Sequence, residues 1–325
     1  MKNVGIKAIG QYVPKKVVTN HMLEKMVETS DDWITTRTGI KERRIAGKHE
    51  RASDLAIHAA RDALKKGEID PHTIELIVVA TISPDSNFPS VACLVQKAIG
   101  ARQAAAFDVS AACSGFLYAL TTAKQFVATG MYKNALVIAA ERFSQIIDWN
   151  DRDTCVLFGD GAGACVIAPV LGNHGILSEY LHAQGHHSDI MSVIVEDLPP
   201  LDQEAKTMNR PYVEMRGQEL FKIAVNSMAE AVDIVLKKAK VKKEEVACVV
   251  PHQANDRIIT AVARKLSIPK DKFFINIHRY GNMSAASIAV ALNEAVDHKH
   301  IRKGDNVVLV TFGAGLVSAA SVVRW

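Results

Sequence analysis

The chain has 325 residues, 48% of them hydrophobic, so it can bury a deep core and disorder is not expected. Its net charge is only +4, from 39 basic and 35 acidic residues, without the basic excess interleaved with aromatics that marks nucleic-acid-binding proteins. No uninterrupted apolar run approaches the length of a membrane-spanning helix. We therefore expect neither a nucleic-acid partner nor a membrane.

The cysteines and the N-terminal segment point to the compartment. The five cysteines are odd in number and form no CxxC pair, which argues against a disulfide framework and a structural zinc site. The segment MKNVGIKAIGQYVP lacks the continuous apolar stretch of a signal peptide and predicts a first strand. We expect a cytoplasmic protein.

Along the chain, short runs rich in Val, Ile and Ala alternate with helical patterns. Helical periodicity appears over residues 53–67, 116–130 (ending at Gly130) and 217–240. The apolar runs between them are typical of strands covered by helices on both faces, so the fold class is predicted as α/β. The polar, proline-containing segment 185–212 is expected to form a long loop over the active-site face.

Three blocks of the first half recur in order in the second half, which indicates an internal duplication. They are a strand ending in a polar loop, a strand–loop–helix rich in small residues, and a glycine-rich turn before a buried strand. We predict two halves, residues 1–172 and 173–325. The matched blocks are 74–81 with 246–255, 106–120 with 274–292, and 158–168 with 312–323.

Cys113 lies where an apolar strand gives way to a helical pattern. If the helix begins at or just after it, the helix dipole and unpaired N–H groups favour the reactive thiolate. Small neighbours leave room for a substrate. The alternative is a buried core cysteine, which suits Cys155, Cys165 and Cys248 because they lie inside apolar runs. For Cys113 we favour a nucleophile.

An imidazole and a carboxamide follow apolar segments of the second half. His252 leaves a core strand through Pro251 and is followed by a polar loop. Asn282 lies between Gly281 and a helical pattern, where it could equally be an N-cap, but its position near that of Cys113 in the other repeat favours function. Thiol, imidazole and carboxamide together suit acyl transfer through a thioester.

The glycine-rich segments are not nucleotide sites. A strand follows FGDGAGA (158–164), where a phosphate cradle needs a helix N-terminus, and no Walker lysine is present. FGAGL (312–316) has the same property. Its Gly315 can bring a backbone N–H to a substrate carbonyl, as an oxyanion hole requires.

With these residues in place, the chain resembles the 3-oxoacyl-[acyl-carrier-protein] synthase III family of condensing enzymes over essentially its whole length. The resemblance implies a thiolase fold, with duplicated βαβαβαββ halves in a layered α-β-α-β-α architecture. The motifs that carry it are TSDDWITTRTGIKERR (29–44), NFPSVAC (87–93), DVSAACSGF (108–116), DRDTCVLFGDGAGA (151–164), PHQANDRI (251–258), GNMSAAS (281–287) and FGAGL (312–316).

The resemblance also implies residue roles. Cys113 is implied as the acylated nucleophile, and its N–H and that of Gly315 as the oxyanion hole. His252 and Asn282 are implied to bind the malonyl thioester carbonyl. Phe88 is implied to reach into the acyl pocket of a second copy, which implies a homodimer. The residues implied to hold coenzyme A and its pantetheine arm are Thr29, Trp33, Arg37, Arg152 and Asn255.

An acidic acyl carrier protein is the second implied partner, so a local basic patch is expected near the channel mouth. Lys222 lies early in a helical pattern. If residues 256–266 are helical, Arg257, Arg264 and Lys265 share one face. A solvated charged face is the common alternative for such residues, and we favour docking.

The implied reaction initiates fatty acid biosynthesis. An acetyl or short branched acyl group passes from acyl-CoA to malonyl-acyl carrier protein, with release of CoA and carbon dioxide. No cofactor is implied, because acyl-CoA is a substrate. A thiolase would carry a second cysteine in the C-terminal glycine-rich loop, and elongating synthases have a histidine where this chain has Asn282.

Three alternatives stay open at this stage. A cysteine hydrolase with a Cys–His–Asn triad fits the residue order but not the repeats or the buried strands. A non-catalytic subunit of this fold would typically have lost Cys113 or His252. A condensing enzyme of secondary metabolism or of the hydroxymethylglutaryl-CoA synthase type is distinguished by its carrier-protein dependence.

Overall fold

The computed structural model describes residues 2–193 and 212–325, and strands alternate with helices throughout these ranges. The predicted α/β class is confirmed. The strands are β1 (Val4–Tyr12), β2 (Lys16–Thr19), β3 (Glu42–Ile45), β4 (Leu76–Ala80), β5 (Ala105–Val109), β6 (Ala135–Arg142), β7 (Asp160–Pro169), β8 (Gly175–Ala183), β9 (Met191–Val193), β10 (Val213–Met215), β11 (Val246–Pro251), β12 (Asn306–Gly313) and β13 (Val317–Arg324).

The helices follow the predicted periodicity. The helix after Cys113 stops at Gly130, whose φ of 85° closes its last turn in the left-handed region. Among the described residues, no helix is long and apolar enough to cross a bilayer. The helices are α1 (Asn20–Leu23), α2 (Asp31–Thr38), α3 (Ala52–Lys66), α4 (Val91–Ile99), α5 (Gly115–Thr129), α6 (Arg152–Cys155), α7 (Gly217–Ala239), α8 (Asp256–Leu266), α9 (Ile277–Tyr280) and α10 (Ala286–Asp297).

The first half forms a five-stranded sheet in the order β1-β7-β6-β4-β5. Strands β5, β4 and β6 run parallel, and β7 is antiparallel to both β6 and β1. Every residue of β4 is buried, because helices cover both faces of the sheet. Parallel strands end at the same edge of a sheet, so the residues that follow β4 and β5 lie close to the end of β6.

The second sheet has the order β11-β12-β13-β8 and is smaller than the repeat predicts. The segment matched to β5, residues 274–292, forms no strand, and Phe273 just before it makes only an isolated bridge to Val249. The N–H groups of Asn276 and Ile277 donate instead to the side chain of Gln253, at 3.0 and 3.2 Å. A buried side chain has therefore replaced the strand ladder at this edge.

The two sheets and their helices form the predicted five layers. Helices α5 and α10 pack between the sheets, α3 and α4 cover the outer face of the first, and α7 and α8 cover the outer face of the second. The layered thiolase-type architecture is confirmed. The division at residue 172 stays a prediction, although each of these sheets takes its strands from one side of it.

The first glycine-rich segment is a strand and not the predicted turn, because β7 already begins at Asp160. Its glycines permit close packing. A Cβ at Gly163 would lie 2.5 Å from Cβ of Ala289 in α10, and one at Gly161 would lie 2.5 Å from Sδ of Met283. The segment FGAGL does turn the chain, between β12 and β13, and Gly315 has a φ of 72°.

Candidate active site

Cys113 lies at the edge of the first sheet, in a 3₁₀ turn between β5 and α5. Ala112 before it has a φ of 45°, an unusual conformation for a residue with a side chain. Helix α5 begins two residues later at Gly115, so the predicted strand-to-helix placement is confirmed. The residue is only 4% exposed.

A cavity of about 130 Å³ is lined by Cys113, His252 and Asn282 together. His252 follows β11, and its N–H donates to the carbonyl of Val310 in β12 at 2.8 Å. The structure therefore brings the three predicted side chains to one site from three separate segments. Their chemical roles stay predictions at this point.

Asn282 does not cap the helix that follows it. Helix α10 begins at Ala286 and has no side-chain cap, so the N-cap alternative is wrong. The carboxamide oxygen of Asn282 accepts from the N–H of Ser284 at 2.8 Å. Its own N–H donates to the Leu157 carbonyl at 2.9 Å, which fixes this loop to the first half. The NH₂ group is the part available to a ligand.

Burial controls the protonation of the thiol and the imidazole. It raises the pKa of Cys113 to about 12 and lowers the pKa of His252 to about 3. The expectation that the helix terminus makes Cys113 a thiolate is therefore wrong for the free protein, because desolvation of the charged sulfur outweighs it. At neutral pH the thiol is protonated and the imidazole is neutral.

The remaining cavity wall is mostly apolar, with several side chains from α7. Met191 and Met215 come from the two short strands β9 and β10, Met228 comes from α7, and Phe158 also lines the cavity. Flexible methionines suit a small apolar group of variable shape. Residues 194–211 of the predicted active-site loop lie outside the described residues.

A second cluster surrounds Trp33 in α2. The guanidinium carbons of Arg37 and Arg152 lie 4.7 and 5.0 Å from the centre of its rings. Arg152 also donates to the carbonyl of Glu28, which precedes Thr29, at 3.2 Å. An indole grouped with two arginines combines a flat aromatic side chain with positive charge, which suits an aromatic base carrying phosphates.

Asn255 connects this cluster to the cavity. Its NH₂ group donates to the Arg37 carbonyl at 3.1 Å, and its side-chain oxygen accepts from the N–H of Arg257 at 2.9 Å, which caps α8. Asn255 also lines the cavity. Asn255 therefore lies both beside the Trp33 cluster and in the wall of the cavity that contains Cys113.

Comparison with known proteins shows the family of the chain. The family model described as 3-oxoacyl-[acyl-carrier-protein (ACP)] synthase III matches residues 107–185, and the model of its C-terminal part matches residues 236–325. The beta-ketoacyl-[acyl-carrier-protein] synthase III of Caldanaerobacter subterraneus subsp. tengcongensis is 50% identical over 322 residues, covering 99% of this chain and 97% of that protein. The one from Clostridioides difficile is 51% identical, covering 99% and 98%.

The solved structure of 3-oxoacyl-[acyl-carrier-protein] synthase III from Aquifex aeolicus is 48% identical, with a TM-score of 0.92. The similarity covers 99% of this chain and 100% of that one. The chain belongs to the 3-oxoacyl-[acyl-carrier-protein] synthase III family. It is a condensing acyltransferase with the thiolase fold.

The basic residues predicted to dock a carrier protein lie on α7 and α8 of this synthase III family member. All four are exposed, and α8 spans the predicted residues. Arg257 and Arg264 line a shallow cleft with Phe221, which also lines the active-site cavity. Lys265 turns towards α7, where its Nζ lies 2.8 Å from the side-chain oxygen of Asn226. Lys222 lies beside Phe221 in sequence. Docking stays a prediction.

A glycine other than the predicted Gly315 lines the cavity beside Cys113. Gly315 is not among the residues that line the cavity, whereas Gly313 is. A Cβ on Gly313 would lie 2.7 Å from the backbone nitrogen of Cys113, so the glycine allows β12 to approach the nucleophile closely. The motif contains both glycines, and sequence alone did not indicate which one makes the contact. The donor role of Gly315 stays a prediction.

Proposed function

We propose that this synthase III family member transfers a short acyl group from acyl-CoA to Cys113 and then condenses it with malonyl-acyl carrier protein. The reaction releases CoA and carbon dioxide and starts fatty acid synthesis. One observation carries the proposal: a thiol, an imidazole and a carboxamide line one apolar cavity, and Asn255 joins that cavity to the Trp33 cluster.

In the first half-reaction, the sulfur of Cys113 attacks the thioester carbonyl carbon of acyl-CoA as its proton leaves. Backbone N–H groups, those of Cys113 and Gly315 in this proposal, stabilise the oxyanion. The tetrahedral intermediate collapses and expels the CoA thiolate, which takes a proton from water. The buried, apolar cavity wall protects the acyl-enzyme from hydrolysis.

In the second half-reaction, His252 and Asn282 hold the thioester oxygen of the malonyl group. Both side chains are uncharged donors. Asn282 carries a neutral carboxamide, and His252 is neutral because burial lowers its pKa to about 3. Loss of carbon dioxide produces the enolate, so no strong base is needed to remove a C–H proton. The enolate carbon attacks the acyl-Cys113 carbonyl, and Cys113 leaves as a thiolate.

The proposal extends to cofactor, primer and compartment. Neither half-reaction uses a bound cofactor, because acyl-CoA supplies the acyl group. The small apolar cavity supports an acetyl or short branched primer. Five free cysteines, of which Cys93 is exposed, support a reducing compartment such as the cytoplasm.

We also propose a homodimer formed through the edge of the first sheet. Strand β5 is at the end of the sheet, and all of its residues are only partly buried. Phe88, in the loop between β4 and α4, is 85% exposed, which is unusual for a large aromatic side chain. A second copy pairing along β5 would cover both features and receive Phe88 near its acyl pocket.

The proposed function is tested by product analysis with defined substrates. Acetyl-CoA and a short branched acyl-CoA compete for the protein, and malonyl-acyl carrier protein is then added. We expect 3-oxoacyl-acyl carrier protein, identified by intact mass, whose chain shows which primer is preferred. A product formed from acetoacetyl-CoA without any carrier protein would contradict the proposal and favour a hydroxymethylglutaryl-CoA synthase.

Substitution Trp33→Ala is expected to raise the KM for acyl-CoA about tenfold, because stacking and cation–π contacts of this kind contribute about 1–2 kcal/mol. The KM for malonyl-acyl carrier protein should change little. Steady-state kinetics with each substrate varied in turn measure the difference. Trp149→Ala is a matched control, since Trp149 packs against the same core cluster as Trp33. An unchanged KM for acyl-CoA in a folded Trp33 variant would count against the role.

Substitution Arg257→Glu is expected to slow condensation several-fold and to weaken its salt dependence, because charges at an interface rim chiefly set the association rate. Acylation by acyl-CoA should be spared. Arg61→Glu is the control, since Arg61 is exposed on α3 in the opposite outer layer. Carrier-protein kinetics and salt response that match the unaltered protein would exclude this surface as the docking site.

A further inference from the structure

Glu141 is a buried carboxyl group at the end of β6 that neither half-reaction uses. It is 0% exposed, and one carboxyl oxygen accepts from the Ser83 hydroxyl at 2.5 Å and from the Ile82 N–H at 3.2 Å. The other oxygen, Oε1, is buried without a hydrogen-bond partner among the described residues. A buried carboxyl oxygen without a hydrogen-bond partner destabilises the fold, which points to a functional role for Glu141.

The Ser284 hydroxyl is a buried neighbour of both Glu141 and Cys113. It is close enough to lower the pKa of both Cys113 and Glu141, yet within the described structure it is buried outside hydrogen-bond geometry with either. The hydroxyl and Oε1 of Glu141 are thus two buried polar groups without a partner among the described residues, and both side chains influence the pKa of the thiol. Ser284 has a φ of 49°, and its N–H donates to the side chain of Asn282.

Packing at Gly115 fixes this arrangement. A Cβ on Gly115 would lie 3.0 Å from Cβ of Ala80 at the end of β4 and 3.3 Å from Cβ of Ala285. The first neighbour precedes the Thr81–Ser83 segment that holds Glu141, and the second follows Ser284. The start of α5 is therefore packed between the segment that binds the Glu141 carboxyl group and the segment that carries the Ser284 hydroxyl.

The thiol must lose its proton during acylation, and the two buried bases near it differ in strength. Burial raises the pKa of Glu141 to about 7, whereas it lowers that of His252 to about 3. Glu141 is therefore the better proton acceptor. The charged neighbours of Glu141 are Arg142 on the same strand and Asp160 on the paired strand β7. Arg142 donates to the Gly47 carbonyl, and Asp160 accepts from the N–H groups of Ala46 and Ser144.

We propose that Ser284 and Glu141 relay the proton of Cys113 and store it between the two half-reactions. As the Cys113 sulfur bonds to the acyl carbon, its proton passes to the Ser284 oxygen and the Ser284 proton passes to Oε1 of Glu141. When the enolate later displaces Cys113 as a thiolate, the same two transfers run in reverse. The thiol and the carboxylate are both regenerated, and the one proton consumed overall goes from water to the departing CoA.

The relay has a consequence for the second substrate. In the acyl-enzyme Glu141 is protonated and uncharged, so no buried carboxylate repels the malonyl carboxylate as it approaches Cys113. In the free enzyme Glu141 is ionised above its pKa. Its charge then raises the pKa of Cys113, which keeps the thiol protonated until a substrate is bound.

The test measures two reactions of Cys113 in Glu141→Gln: acylation by acetyl-CoA and alkylation by iodoacetamide. Only the acylation rests on the proposed function. At fixed, mildly alkaline pH, acylation by acetyl-CoA is expected to slow at least about tenfold, because the acceptor is lost. Alkylation by iodoacetamide is expected to become faster, because removal of the charge lowers the pKa of the thiol. Changes in opposite directions are the signature of the relay.

Two further variants keep the result interpretable. Ser284→Gly suits the left-handed backbone and is expected to slow acylation as Glu141→Gln does. Alkylation should not become faster in this variant, because the hydroxyl lowers the pKa of the thiol. The variant decides the matter if Glu141→Gln fails to fold. Glu294→Gln removes a buried carboxyl that is bonded to Asn276, Arg279 and Tyr280, and both rates should be retained.

Other outcomes would overturn either the proton relay or the proposed function, and the two can be told apart. If both rates rise in Glu141→Gln, Glu141 acts only through its charge, and if both fall, it acts only on the structure; either result excludes the relay. An unaltered protein that is alkylated at Cys113 but never acylated by acyl-CoA would contradict the proposed function instead.

Discussion

Substitution of Cys113 by alanine is expected to abolish acylation by acetyl-CoA, so that the intact mass of the protein stays unchanged after incubation. The serine variant should lose at least about a thousandfold in rate, because a hydroxyl is far less nucleophilic than a thiolate and the site is built around sulfur. The expectation rests on the position of Cys113, which is the cysteine lining the cavity with His252 and Asn282.

The control for this experiment is Cys93→Ala. Cys93 is the exposed cysteine and therefore the one open to non-specific acylation, whereas Cys155, Cys165 and Cys248 are buried. The Cys93 variant should be acylated like the unaltered protein. Acyl mass retained on another cysteine of Cys113→Ala would overturn the assignment of the nucleophile.

Substitution of His252 or Asn282 by alanine is expected to reduce malonyl decarboxylation by about a hundredfold to a thousandfold, the usual effect of losing one donor to an oxyanion-like oxygen. Acylation should change by less than about tenfold, since in our proposal neither residue takes the thiol proton. Carbon dioxide release and acyl-enzyme formation, measured separately, give the two rates.

Equal loss of both steps in His252→Ala would show that the imidazole is also the base for Cys113. That result would contradict the division of labour between His252 and Glu141. The contrast is informative because burial lowers the pKa of His252 to about 3, which makes it a weak base but leaves it a donor. The variants should also be checked for stability, since both residues are buried.

Elements that depend on local sequence could be predicted. The stop of α5 at Gly130 and the helix over residues 256–266 follow from chain-local signals. The glycines of β7 could not be interpreted in the same way, because Gly161 and Gly163 are needed for contact with the segment from Met283 to Ala289, far away in sequence. The missing strand after residue 273 likewise depends on Gln253, which takes the backbone N–H groups of that segment.

The same distinction applies to the site. Cys113 and His252 each follow an apolar strand, and such positions collect at sheet edges, so their convergence could be predicted. The protonation of Cys113 could not, because it depends on burial and on the charge of Glu141. Nothing in the sequence around Glu141 marks it as buried, since a charged residue at the end of a strand is normally exposed.

The most direct test of the proposed reaction is a single turnover that starts from isolated acyl-enzyme. The protein is acylated with isotope-labelled acetyl-CoA, freed of CoA, and mixed with malonyl-acyl carrier protein. We expect the label to leave Cys113 and appear in 3-oxoacyl-acyl carrier protein, with one carbon dioxide released for each label transferred. Label that stays on the protein, or that is released as acetate while product forms without it, would contradict an acyl-Cys113 intermediate.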